Sequence, residues 1–254
     1  MIIDTESKTL SIEDGDGCSK HSLKSKQAFE LLSRQWLKVG WNEKYPYPFS
    51  WMGRPIIQLP EDMIRMQEVI YRVRPNLIIE TGVAHGGSLV FYASILKAMG
   101  IQDPRVIGVD IEIRPHNRTA LESHELFPYI TLVEGGSTTP EVVGQVTEEV
   151  MTGDNVLVIL DSNHTRAHVA AELEAYSDLV SVGSYIVATD GSMRDLHDVP
   201  RGAPHWQHDH PAAAAEEFAL ENPTFVLEQP EWPFNESKLE HNVTHWPNAY
   251  LRRV

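Results

Sequence analysis

One cysteine, Cys18, occurs in 254 residues. No intrachain disulfide can therefore staple the fold, and a reducing, cytoplasmic setting is expected. No run of lysine and arginine appears, and 36 acidic against 21 basic residues leave a net charge of −15. Such a surface repels a phosphate backbone or an anionic bilayer, which argues against a nucleic-acid or membrane partner. Long apolar runs are missing as well. Nothing approaches the roughly 20 residues needed to cross a bilayer, and the chain after Ile2-Ile3 is polar, without the apolar centre of a secretory signal.

What is present is ordinary globular material, with 42% hydrophobic and 22% charged residues. The length suits one catalytic domain with appendages. Residues 1–26 read as a mobile arm. A helix follows over Gln27–Trp41, where Phe29, Leu31, Leu32, Trp36 and Leu37 recur at helical spacing. The proline-broken aromatic stretch to Pro60 completes an N-terminal extension, residues 1–60, whose apolar side chains point to subunit contacts and a homo-oligomer. From residue 61 to 254 short apolar runs alternate with helical patterns. Strands are expected at Leu77–Ile79, Val106–Asp110, Ile130–Val133, Asn155–Leu160 and Tyr185–Ala188, with helices between them. That alternation predicts an α/β fold, a mostly parallel central sheet covered by helices on both faces. Late strands at Phe225–Leu227 and Ala249–Arg252 are placed antiparallel at its edge.

The first strand runs into Glu80-Thr81-Gly82-Val83-Ala84-His85-Gly86-Gly87-Ser88 and then a helix. Glycines at such a turn let a ligand approach the main chain at the carboxyl end of a sheet. The spacing differs from the GxGxxG of dinucleotide folds. Glu80 would also oppose a pyrophosphate, so a sulfonium cofactor suits the turn better. Asp110 closes the second strand, where a carboxylate can accept from two ribose hydroxyls.

Three stretches carry a resemblance: Arg74 to Gly82 with Gly86-Gly87-Ser88, Val106 to Ile111, and Leu160-Asp161-Ser162-Asn163-His164. On these the chain resembles class I S-adenosylmethionine (SAM)-dependent methyltransferases, specifically the cephalosporin hydroxylase/rhamnosyl O-methyltransferase family. The resemblance implies a Rossmann-like methyltransferase fold and O-methylation of a sugar or polyol-containing small molecule, in natural-product or surface-glycan synthesis. It gives Glu80, Gly82 and Ser88 to the methionine part of SAM and Asp110 to the ribose. Gly136 stands where relatives often carry an acid that accepts the adenine amine, with Ser137 as its substitute, and Asp161 is counted among the cofactor contacts.

Asp161 and Asp190 end adjacent parallel strands, and such hard oxygen ligands suit Mg2+ or another divalent cation. By the same resemblance they are the metal ligands, with His164 as general base and Asp161 assisting. Residues 191–211, rich in histidine, are assigned to an acceptor-binding loop. Two rival readings stand beside this one. His197, His205, His208 and His210 invite a non-haem iron hydroxylase, and the glycine turn alone would serve a non-catalytic adenosine-binding protein.

Overall fold

A computed structural model describes residues 1–14, 17–237 and 239–254. Most of the stretch expected as a mobile arm is regular: β1 (Ile2–Asp4), β2 (Thr9–Asp14) and β3 (Gly17–Ser22) form an antiparallel meander. Leu10 is its one fully buried apolar side chain. The meander feeds α1 (Lys26–Asn42), whose start is capped by Ser25, its hydroxyl accepting from Ala28 N at 3.1 Å. A two-residue hairpin, β4 (Ser50–Trp51) with β5 (Arg54–Pro55), then leads to α2 (Pro60–Val73). Proline at the first helical position and Glu61 and Asp62 in the first turn favour a start there.

The catalytic-sized remainder alternates: β6 (Leu77–Thr81), α3 (Gly87–Ala98), β7 (Arg105–Asp110), α4 (Pro115–Glu122), β8 (Ile130–Glu134), α5 (Pro140–Glu148), β9 (Val156–Leu160), α6 (Arg166–Tyr176), β10 (Tyr185–Ala188), α7 (Pro211–Glu221), β11 (Phe225–Leu227) and β12 (Tyr250–Arg253). One seven-stranded sheet results, in the order β11-β12-β10-β9-β6-β7-β8. Pairings among β6 to β10 are parallel, while β12 runs antiparallel between β10 and β11. The late antiparallel edge expected from the sequence is therefore present.

β6, β9 and β10 are buried at every residue, because helices cover both faces of a parallel sheet. The period of two divides their side chains: Ile78 joins the core under α2, α3 and α4, whereas Leu77 and Ile79 join the one under α5, α6 and α7. By the same alternation Glu80 points to the α3 side. The chain winds outward from β6 to β8, then returns to β9 on the other flank. The β6/β9 boundary is thus the switch point, where a crevice opens at the carboxyl ends of the strands. No helix among the described residues is long and apolar enough to cross a membrane.

Candidate functional site

The glycine turn is built as tightly as its sequence suggests. Gly82 has φ +95°, and a Cβ there would stand 2.1 Å from the carbonyl oxygen of Asp161, so only glycine allows the turns after β6 and β9 to approach so closely. Gly87 is held in the same way against the carbonyl of Pro55. Glu80 has no exposed surface. Its carboxylate accepts from Ser88 Oγ at 2.5 Å and Tyr92 Oη at 3.0 Å. Burial, reinforced by the charge of Asp161, pushes its carboxyl well above the usual carboxylate range. Glu80 and Ser88, both expected to face a ligand, are thus bonded to each other.

Asp110 grips the turn. Its Oδ2 accepts from Val83 N at 2.8 Å and Ala84 N at 3.1 Å, whereas Oδ1 accepts from Glu112 N at 3.2 Å. Two carboxylate oxygens offer about four lone-pair sites, so acceptor capacity remains after these three bonds.

Across the switch point Asp161, His164 and Asp190 each bring one ligand atom within 4.8 Å of the others. His164 Nε2 lies 3.5 Å from Asp190 Oδ2. Asp161 Oδ1 accepts from Thr189 Oγ1 at 2.5 Å, and burial together with the Asp190 charge pushes its carboxyl up to about 6. Asp190 holds its place through a left-handed backbone, φ 57°. Two carboxylates and an imidazole with no lysine or arginine between them fit a divalent cation. The neighbouring Ser162 and Asn163 turn elsewhere: Ser162 Oγ donates to Glu172 Oε1 at 2.6 Å, and Asn163 Oδ1 accepts from Thr165.

Ser137 is buried, and its hydroxyl lies 3.2 Å from His168 Nε2, which also meets Ser162 Oγ at 3.2 Å and Glu172 Oε1 at 3.3 Å. Tyr176 Oη donates to the Ser137 carbonyl at 2.7 Å. The turn after β8 is thereby tied to α6. Sequence reasoning missed His168 and Glu172. The available signal was a glutamate in phase with Val169, Leu173 and Tyr176, on the face of α6 that is buried.

It also missed Asp62. This buried first-turn acid of α2 accepts from Thr244 Oγ1 and, at 2.9 Å, from His245 N. Burial, with a smaller contribution from Asp190, pushes it up to about 7. His245 is itself buried, and its Nε2 has no partner among the described residues. Its ring packs edge-on to Trp41 at 5.4 Å, and Trp41 meets Trp206 at 5.9 Å. The end of α1 and the histidine-rich loop are therefore packed together, joined by Arg201 Nη1 donating to the Trp41 carbonyl at 2.7 Å.

Two of the loop's imidazoles, and the acid between His208 and His210, are bonded separately. His197 Nδ1 meets Arg194 O at 2.7 Å, His210 Nδ1 caps α7, and Asp209 accepts from Arg166 N. Among the described residues, Asp161, His164 and Asp190 form the one group of three with metal-ligand spacing, so the loop assembles no iron site of its own.

With this geometry in view, the family model Rhamnosyl O-methyltransferase/CmcI matches residues 43–254. The Rhamnosyl O-methyltransferase of Mycobacterium leprae is 30% identical over 153 residues, 60% of this chain and 64% of that protein. Its Mycobacterium bovis counterpart is 30% identical over 156 residues, 61% of this chain and 62% of that protein. The matched stretch thus spans less than two thirds of these relatives. A solved structure of CmcI with Mg and SAM superposes with a TM-score of 0.56 at 21% identity, covering 82% of this chain and 77% of that one. This is the Rossmann-like methyltransferase fold.

Proposed function

This chain belongs to the Rhamnosyl O-methyltransferase/CmcI family, and from that premise we propose that it is a SAM-dependent O-methyltransferase. Its acceptor is a hydroxyl of a sugar or polyol-containing small molecule, and a divalent cation, Mg2+ first among them, assists. One observation carries the reading. Gly82 abuts the Asp161 carbonyl so closely that the glycine turn and the acidic triad share a wall, which sets a donor cleft beside a cation site. Relatives named as rhamnosyl O-methyltransferases, and the CmcI structure with Mg and SAM, support it.

When bound, SAM supplies an electrophilic methyl group on a sulfonium and the cation supplies Lewis acidity toward a hydroxyl. The chain does the rest. Glu80, fixed by Ser88 and Tyr92 under the glycine turn, is a buried acid whose ionised form a cationic ligand would favour. Asp110 holds the turn and keeps acceptor sites for ribose hydroxyls. Ser137, anchored through His168, lines the turn after β8, in keeping with the adenine end. Asp161 and Asp190 would hold the cation. His164, its side chain 30% exposed beside Asp190, takes the acceptor proton on Nε2 as the methyl group moves.

Homo-oligomeric assembly belongs to the same proposal. Ile2, Ile3, Phe29, Trp36, Val39, Tyr45 and Tyr47 are all exposed on the N-terminal extension, more apolar surface than a free monomer gains by showing.

Calorimetric titration with SAM, S-adenosylhomocysteine (SAH) and NAD tests the reading, followed by a screen of glycosides that scores SAH release with Mg2+ and with EDTA. Binding of both adenosyl ligands, none of NAD, and turnover abolished by EDTA are expected. If neither adenosyl compound binds with any metal present, the assignment is wrong.

A further inference from the structure

The donor crevice has a wall that the parallel sheet does not supply. Between β5 and α2 the chain crosses the glycine turn as a strap, and Pro55, Ile56, Ile57 and Gln58 line the crevice together with Gly82, Ser88 and Asp161. The strap is held down along its length. Arg54 donates to the His85 carbonyl through Nε at 3.0 Å and Nη2 at 2.6 Å, and Nη2 also reaches Asn117 Oδ1 at 3.1 Å. Gly87 leaves no room for a Cβ beside the Pro55 carbonyl, and Ile56 is packed into the core ahead of α2. Gln58 is therefore carried on a firmly placed backbone.

Its amide is the one polar side chain that the strap adds to the crevice. Gln58 is 5% exposed, and its Oε1 is buried with no hydrogen-bond donor among the described residues. An acceptor in that state is costly unless a ligand brings the missing donor. The other end of the amide is accounted for. Burial drives the Asp161 carboxyl and the Tyr92 hydroxyl upward, and hydrogen bonding from Gln58 opposes that push at both, so Nε2 serves them and Oε1 is left over.

Size and charge define the missing donor. The crevice measures about 60 Å3, room for a few waters or a small charged head group and far too little for a nucleoside. Asp110 and Ser137, given to the ribose and the adenine, lie outside its lining, so it suits the opposite end of the ligand. Two acids stand at it, Glu80 beneath the turn and Asp161 in the wall. The bases nearby are engaged elsewhere: Arg54 as described, and His85, whose Nδ1 lies 3.3 Å from Asn117 Oδ1. An anionic group is thus disfavoured and a small cationic N–H donor favoured. Ser88 and Tyr92 commit their hydroxyl hydrogens to Glu80, which leaves Gln58 Oε1 as the neutral acceptor for that donor.

We propose that Gln58 reads the amino-acid end of the methyl donor, its Oε1 accepting from the α-ammonium of the methionine moiety. The proposal rests on the methyltransferase reading and adds to it a specificity-determining residue from outside the Rossmann-like sheet.

Calorimetric titration of the full chain at one fixed Mg2+ concentration, with SAH and with deamino-SAH, which carries hydrogen in place of the α-ammonium, provides the test. The wild type should prefer SAH. Gln58→Met keeps the volume and removes the acceptor, and it should cut that preference about ten- to a hundredfold, the worth of a hydrogen bond to a charged group. The contacts of Gln58 with Asp161 and Tyr92 are lost whichever ligand is present, so they cancel from the ratio. Gln58→Glu returns an acceptor oxygen and should restore the preference. A wild type that binds both ligands equally would overturn the proposal without any variant. Equal losses for both ligands in Gln58→Met would do the same and leave Gln58 a packing residue. Should neither ligand bind the wild type, the methyltransferase reading falls as well, whereas tight SAH binding with an unchanged preference in Gln58→Met removes only the role of Gln58.

Discussion

Gly82→Ala tests the close approach on which the functional reading depends. A Cβ at this position would lie 2.1 Å from Asp161 O, 2.6 Å from Asp161 C and 3.0 Å from Ser162 N. All three are backbone atoms, so no side chain can swing aside. Real contacts of this kind start near 3.0 Å, and the turns after β6 and β9 would have to part by roughly 1 Å. Overpacking on that scale costs about 1–3 kcal/mol, and placing alanine at φ +95° adds about 1–2 kcal/mol. A total near 3 kcal/mol corresponds to roughly 6–12 °C in Tm for a chain of this size. Gly153 supplies the control, since it has the same φ of +95° with nothing within 4 Å of the added Cβ. Gly153→Ala should therefore lose only the conformational part, about 1–2 kcal/mol. Differential scanning calorimetry of both variants, with SAH titration of each, separates the two contributions. Equal losses of Tm in the two variants would refute the packing argument, as would undiminished SAH binding by Gly82→Ala.

Three further outcomes follow from the acidic crevice. Mg2+ should raise the Tm of the wild type but not of Asp190→Asn. Because Asp161 titrates near 6 when folded, protons compete with the cation below that pH, and the Mg2+-induced rise should fade from pH 7 to pH 5; a rise that persists at pH 5 counts against Asp161 as a ligand. Asp62, raised to about 7 by burial, binds a proton in the folded state that the unfolded carboxyl has already released above about pH 4. Wild-type stability should thus fall as pH climbs from 4 to 7 relative to Asp62→Asn, whose melting-temperature advantage grows across that window and then levels off; parallel pH profiles would show that the buried charge is not there. His164→Gln should keep Mg2+ and SAH binding while lowering turnover about 10²- to 10⁴-fold; loss of Mg2+ binding would instead make His164 a third ligand.

The sequence carried the sheet because its strands are short apolar runs, LII, VIGV, VLVIL and YIVA, and such runs need helices on both faces. Carboxylates at strand ends were equally readable, since Glu80, Asp110, Asp161 and Asp190 each follow one of those runs. The meander at residues 1–22 was not. β3 reads GCSKHS with no apolar alternation, and its pairing with β2 supplies what its side chains do not announce. Asp62 looked like any first-turn helix acid; its partners Thr244 and His245 lie more than 180 residues away. Glu172 escaped for a related reason. Its bond to Ser162 and the His168 link to Ser137 join segments that only the fold brings together.

The crevice's own charge supplies the last step. Glu80, Asp62, Asp161, Asp190 and Asp110 converge on one end of the sheet, and among the described residues none forms a salt bridge with a lysine or arginine; the basic side chains beside them are imidazoles, His164 at 3.5 Å from Asp190 and the buried His245. Glu80 and Asp62 are buried, and a buried carboxylate without a cation is costly enough to hold a proton instead, which is the direction in which Glu80, Asp62 and Asp161 all move. Stability alone would favour apolar residues at such positions. Their presence makes sense if positive charge enters during the working cycle, and the proposed reaction brings two sources of it, a divalent cation and a sulfonium. The sulfonium becomes a neutral thioether once the methyl group leaves. A crevice of this charge should therefore bind SAM more tightly than SAH, with the difference shrinking in Glu80→Gln. Titration of both ligands against both proteins measures this directly, and equal affinities in the wild type would remove the electrostatic reason for the cluster.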